Sequence, residues 1–290
     1  MLDYSAEGGA ETMVNRGGRR WGVYSMRAAV LLLLLAMLFG VALANGMLFP
    51  QSSKEGFLEK NGTVVDAGHA GQGYIRIKHR QSKKRLKVRI SQGEESYTYD
   101  LNQNGEFEVF PLQLGSGSYK VRVFEQVKGT QYSGVSNILF KADLEDENLP
   151  YLYPNQYVSY DADSAAVAQS LELCASLESD RQKVDTIEKY LTGKFMYDYL
   201  KVYTIKQTTT YLPDVDATLA EKKGLCFDFA ALMCCMLRVQ GIPTQLVIGY
   251  ADNAYHAWNQ VLVDGEWRLI DTTSRISGTK VKRYTPERRY

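Results

Sequence analysis

The chain has 290 residues, 45% hydrophobic and 23% charged, an ordinary globular composition with room for two modest domains. A net charge of +1 excludes a whole-molecule electrostatic pull toward nucleic acid. Four cysteines exclude a dense disulfide framework, and no His/Cys/Asp/Glu spacing offers three metal ligands, so neither a metal nor a cofactor is expected.

Residues 1–27 are glycine-rich and polar, with Arg16, Arg19, Arg20 and Arg27 approaching an apolar run from Ala28 to Ala44. That run is uncharged and holds Leu31 to Leu35 unbroken. Its length falls between a signal-peptide core and a full span of about 20 residues. Ala42-Leu43-Ala44 suits a signal-peptidase site. The preceding arginines are expected to keep the N-terminus cytoplasmic and to send residues 45–290 outside. Cleavage would release that part; without it, residues 28–44 would hold it to the membrane. A buried core helix is the weaker reading, because the run has no polar face.

Residues 45–71 mix Gly, Ser, Lys and Asp without period and read as a linker. Alternation of period two then runs through residues 72–142. Leu86, Val88 and Ile90 define one strand, Tyr97, Tyr99 and Leu101 another. Phe107 and Val109 follow, then Tyr119, Val121 and Val123, then Ile138 and Phe140. Ser82-Lys83-Lys84, Gln92-Gly93 and Gly115-Ser116-Gly117 punctuate them as turns, so a small antiparallel sandwich of immunoglobulin-like size is expected. It would space or position a catalytic domain. His69 and His79 have no third ligand nearby and read as surface residues. The cations from Lys78 to Lys87 read as a solvated hairpin edge.

An acidic connector, Asp143 to Asn148, closes at Pro150. Asp163 or Ser164 caps a helix running to about Glu178, and Asp180 caps a second to about Leu191. Phe195 to Tyr199 looks extended. Lys201 to Tyr211 is a polar stretch without clear period, placed to line one wall of a cleft. A short helical turn is expected near Asp216 to Lys222.

Cys226 stands two residues after Gly224 and opens an apolar helical pattern through Phe229, Ala230, Met233 and Leu237 that Gly241 and Pro243 end. The first turn of a helix favours an anion, which suits a nucleophilic sulfur. Cys174, Cys234 and Cys235 read as buried free thiols. Gln245 to Tyr250 and Tyr255 to Val263 form strands, and after the Asp264-Gly265 turn Trp267 to Asp271 returns. This hairpin brings His256 and Asp271 near each other beside the Cys226 helix. The order Cys, His, Asp suits a nucleophile, a base and an orienting carboxylate. Tyr255 and Trp258 are expected to line the substrate cleft, while Asp228 and Asn259 read as packing. The Cys226 N–H is a natural oxyanion donor; Gln207 and Tyr211 are candidates for the second. Residues 276–290 read as a basic tail.

The text Lys-Lys-Gly-Leu-Cys-Phe-Asp-Phe-Ala-Ala-Leu, then Gly-Ile-Pro-Thr-Gln-Leu-Val-Ile-Gly-Tyr, His-Ala-Trp and Leu-Ile-Asp-Thr-Thr resembles the transglutaminase-like superfamily, whose core is papain-like. The likeness covers residues 150–275, with Thr272 standing where many relatives carry proline. It implies an α+β catalytic domain whose Cys-bearing helix packs on an antiparallel sheet, with Cys226, His256 and Asp271 as its triad. The superfamily holds cross-linking enzymes, peptidases, other amide-cleaving enzymes and inactive members. Two readings follow. One is an exported cysteine enzyme working through a thioester on protein or cell-wall peptide amides, by hydrolysis or transamidation. The other is a catalytically silent, surface-tethered binding or assembly module of the same fold.

Overall fold

Alternating apolar residues build eight antiparallel strands in the first half of the molecule. The computed structural model describes residues 47–205 and 211–290; the apolar run 28–44, the Ala44 site and Gln207 lie outside them. The strands are β1 (Phe57–Lys60), β2 (Thr63–Asp66), β3 (Tyr74–His79), β4 (Leu86–Gln92), β5 (Glu95–Leu101), β6 (Glu108–Pro111), β7 (Gly117–Lys128) and β8 (Gln131–Ala142). They form two four-stranded sheets, ordered β1-β2-β3-β6 and β5-β4-β7-β8. Val65, Ile75, Ile77 and Phe110 of the first sheet and Val88, Tyr99, Val121 and Val123 of the second are buried in the core cluster. Each such side chain contributes about 1.5–3 kcal/mol on burial.

The stretch expected to be a linker therefore carries two strands. Asn61 and Gly62, at φ 52° and 76°, turn β1 into β2, and Thr63 and Val65 are fully buried. Two alternating residues are too short a pattern to read against Gly-rich flanks. His79 is not a surface residue: it is 3% exposed, and its Nδ1 shares a hydrogen bond with Thr63 Oγ1 at 2.8 Å. Along the basic edge, Lys84 pairs with Glu125 at 3.0 Å and Lys87 with Asp100 at 3.0 Å.

The second half comprises α1 (Ala165–Cys174), α2 (Asp180–Lys194), β9 (Met196–Tyr197), α3 (Tyr199–Ile205), α4 (Val215–Glu221), β10 (Lys223–Gly224) and α5 (Cys226–Arg238). Then come β11 (Thr244–Ala251), β12 (Ala254–Val263), β13 (Glu266–Ile270), α6 (Thr272–Ser277) and β14 (Tyr284–Arg289). Ser179 caps α2, accepting the Gln182 N–H at 3.3 Å while the Gln182 side chain accepts the Ser179 N–H at 3.4 Å. The polar stretch expected as a loop begins with α3, only seven residues long and too short to declare a period.

Helix α5 is buried at every position from Asp228 to Arg238, as a helix apolar on all sides must be. Its C-terminal Arg238 is 0% exposed and compensated by carbonyls. It donates to Thr244 O at 3.0 and 2.8 Å, Tyr153 O at 2.6 Å and Tyr290 O at 2.8 Å.

The sheet beside α5 has the order β13-β12-β11-β14 and is antiparallel throughout. Asp264 and Gly265, at φ 55° and 79°, make the tight turn between β12 and β13. The expected tail is instead the edge strand β14, seated where a Cβ on Gly249 would lie 2.2 Å from Thr285 O. The chain beyond β14 reaches the sandwich. The Tyr290 ring lies 5.5 Å from Tyr97, 6.0 Å from Tyr99 and 4.1 Å from Tyr157. Arg288 donates to Ser96 O at 3.1 Å. Among the described residues no helix is long and apolar enough to cross a membrane.

Candidate active site

Cys226 is the first residue of α5, so its N–H has no intrahelical acceptor and faces outward. Gly224, two residues before it, pairs with Tyr197 in the short parallel β9–β10 ladder. A Cβ on Gly224 would lie 2.8 Å from Asp228 Cβ, so glycine is what lets the chain enter the helix this tightly. Asp228 is fully buried and closes the turn, its Oδ2 accepting the Leu225 N–H at 2.8 Å. The same carboxylate pairs with Lys201 Nζ at 2.9 Å and accepts a hydrogen bond from the Tyr211 hydroxyl on its other oxygen. Asp228 is thus the buried anchor of the helix that begins at Cys226, more than the packing expected of it. Tyr211, weighed as an oxyanion donor, has its proton committed to that carboxylate.

His256 stands on β12 opposite Gly249, and the β12–β13 register runs from Val263↔Glu266 to Asn259↔Ile270. The next residue, Asp271, leaves the sheet and caps α6, its Oδ1 accepting the Ser274 N–H at 2.9 Å. Its Oδ2 meets His256 Nε2 at 2.9 Å and accepts the Tyr284 hydroxyl at 2.8 Å. Asp271 therefore caps a helix and holds an imidazole with one side chain. Tyr284 went unnoticed in the sequence because it sits in the stretch read as a tail.

Burial alone would pull the His256 imidazole toward its neutral form. Hydrogen bonds to Asp271 and to Cys226, and the charge on both, overcome that and lift it to about 9. Burial likewise works against the Asp271 carboxylate, but His256, the Ser274 N–H and Tyr284 hold it below the usual aspartate range. With Nε2 taken by Asp271, the ring's Nδ1 is left for the thiol. The other cysteines are free and buried; burial pushes Cys174 and Cys234 up to about 11 and Cys235 well above its ordinary range.

Cys226 and His256 open onto a cleft of ≈ 720 Å³ with a largely apolar lining whose aromatic side chains include Tyr157, Tyr197, Phe227, Tyr255 and Tyr290. Asp100 of β5 also borders it, so the first half of the molecule contributes to its wall. Tyr255, expected on the cleft, lines it and is 64% exposed. Trp258, expected beside it, does not. It is 1% exposed and lies behind the imidazole, ring centroids 6.3 Å apart and nearly parallel. Alternation explains the difference, because Trp258 shares the His256 face of β12 and lies nearer the centre of that strand. Asn259 ties β12 to α5, donating to Ala230 O at 2.9 Å. Among the described residues no group of three or more His, Cys, Asp or Glu side chains could hold a metal ion.

The profile of the transglutaminase-like superfamily matches residues 167–272. A search of curated proteins returns no match. Among solved structures, a candidate cysteine protease from Cytophaga hutchinsonii is 19% identical, with TM-score 0.39, over 69% of this chain and 74% of that one. A candidate protease from Parabacteroides distasonis is 12% identical, with TM-score 0.32, over 73% of this chain and 64% of the other. Red sea bream transglutaminase is 15% identical, with TM-score 0.29, over 69% of this chain and 47% of the other. This chain thus spans less than two thirds of the length of the last two.

Proposed function

We propose that the transglutaminase-like domain over residues 167–272 is a cysteine enzyme that opens amide bonds through a thioester on Cys226. The observation that carries this reading is one imidazole held between a carboxylate at 2.9 Å and the side chain of the first residue of a helix. His256 takes the Cys226 proton as the sulfur attacks the carboxamide carbon. The outward Cys226 N–H stabilises the negative oxygen that forms. The imidazolium then gives its proton to the departing amine or ammonia, and the C–N bond breaks to leave a thioester. Asp271 fixes the ring orientation and steadies its positive charge. Water returning along the same path releases an acid; a primary amine releases a new amide.

Incubation with a glutamine-rich peptide and a primary amine, followed by mass measurement, tests this. Shortened fragments indicate proteolysis, amide-to-acid exchange indicates deamidation, and amine adducts indicate transamidation. A Cys226→Ala protein that retains any of these overturns the proposal.

The eight-stranded sandwich is read as immunoglobulin-like from its two antiparallel sheets. Export of residues 45–290 is proposed from the arginines ahead of the apolar run 28–44. Protection of the folded part from an externally added protease in intact cells would contradict export.

A further inference from the structure

Of the large apolar side chains exposed among the described residues, Leu212 and Tyr255 border the cleft, Tyr199 borders a second cleft beside it, and Met196 and Leu200 flank Tyr199 in the chain. Met196, Tyr199, Leu200 and Leu212 are 61%, 67%, 79% and 43% exposed, and Tyr255, on a different element, is 64% exposed. Three of these exposed apolar side chains fall within five residues of chain, a concentration that marks an interaction site more often than scattered exposure does. The helix that carries its centre, α3, has no buried residue, yet Val202 and Ile205 line the cleft. Lys201, the residue before Val202, is fastened to the buried Asp228 at 2.9 Å. The patch is thus fixed to the first turn of the helix that bears Cys226.

The apolar lining continues past the mouth to Cys226 through Phe227 and Ile248, which excludes a flat bilayer as the natural occupant and favours a chain that enters. A second cleft of ≈ 600 Å³ lies beyond His256. It shares Tyr197 and His256 with the first, and its lining includes Tyr199. The His256 ring is therefore reached from two clefts, an arrangement that suits an internal segment of a polypeptide.

We propose that the rim of Met196, Tyr199, Leu200, Leu212 and Tyr255 docks an extended protein segment and selects one with aromatic or aliphatic residues flanking the reacting amide. The substrate class so named rests on the thioester reading above, whereas the docking itself does not. Extended segments meeting exposed aromatics beside a cleft gain affinity chiefly from apolar burial at a few anchors.

The test uses the full chain. Two labelled peptides of equal length and charge carry a central glutamine, one flanked by Phe and Leu, the other by Ser and Gly. Binding is read by fluorescence anisotropy in the Cys226→Ala protein, with and without the added pair Met196→Ser and Leu200→Ser. Both rim positions are exposed and neither borders the cleft. The apolar peptide is expected to bind at least about tenfold more tightly than the polar one, and the rim pair to remove most of that difference. Equal binding of the two peptides, or discrimination untouched by the rim pair, overturns the proposal. Rim-dependent capture by phosphatidylcholine vesicles without peptide discrimination overturns it in favour of a membrane surface. Alkylation of Cys226 in the otherwise native rim variant separates the two claims. Selective labelling with lost discrimination leaves the enzyme reading standing alone, and intact discrimination without turnover supports the rim while sinking the thioester.

Discussion

Tyr284 gives the Asp271 carboxylate a donor on the oxygen that also faces His256. Removing it in Tyr284→Phe should lower kcat by about tenfold, since bonds to a charged acceptor are worth about 1.5–3 kcal/mol. Because that hydroxyl helps hold Asp271 low, the acid limb of the pH–rate profile should move upward in the variant. The alkaline limb belongs to His256. Its folded-state value of about 9 lies above that of an ordinary histidine, so the imidazolium can protonate a leaving amine until the pH climbs past that point. The stability from its charged form is likewise complete below the ordinary histidine range and fades as pH rises through about 9. Rates measured across the alkaline range should fall near there, and a profile still rising above it would contradict the assignment. Asp228→Ala removes a fully buried carboxylate that serves Leu225, Lys201 and Tyr211. It should cost about 2–4 kcal/mol of unfolding free energy by denaturant titration, discounted because Lys201 is partly exposed.

At the scale of elements, the helix from Cys226 was legible because its apolar spacing is unbroken and Gly241-Ile242-Pro243 ends it. The β12–β13 hairpin was legible from alternation and the Asp264-Gly265 turn, which together set the distance between His256 and Asp271. What alternation does not carry is depth. Trp258 and Tyr255 looked alike as cleft residues, yet one lies behind the imidazole and the other at the open end of β12. Asp228 looked like packing because nothing local announces a partner from α3. The entry to α5 makes a further prediction. In Gly224→Ala the new methyl would press on Asp228 and on Phe229 Cε1 at 3.2 Å, shifting the first turn and Cys226 with it. Activity should fall far more than stability; a variant with native kcat/KM would show that the turn tolerates the side chain.

Across the whole molecule, β14 was the least legible part. Its sequence is charged and carries Pro286, as edge strands often do, and so it reads as a tail. In place it closes the sheet beside β11, supplies Tyr284 to the site and leads into Tyr290 on the cleft wall. It also joins the sandwich to the second half through Arg288 and the tyrosines around Tyr290. Deletion of residues 284–290 should therefore lower Tm, since it bares the β11 edge and takes one carbonyl from the buried Arg238. Calorimetry of the intact chain should show the sandwich and the C-terminal sheet melting together. Two separated transitions that deletion leaves unmoved would mean that the cleft wall is not shared.

The most direct test of the central claim is the rate at which a small alkylating reagent labels each cysteine of the folded protein, read by mass spectrometry. Cys226 should react selectively, Cys174, Cys234 and Cys235 should stay protected, and His256→Ala should slow Cys226 sharply. Uniform labelling, or a Cys226 rate unchanged by the loss of the imidazole, would contradict the account.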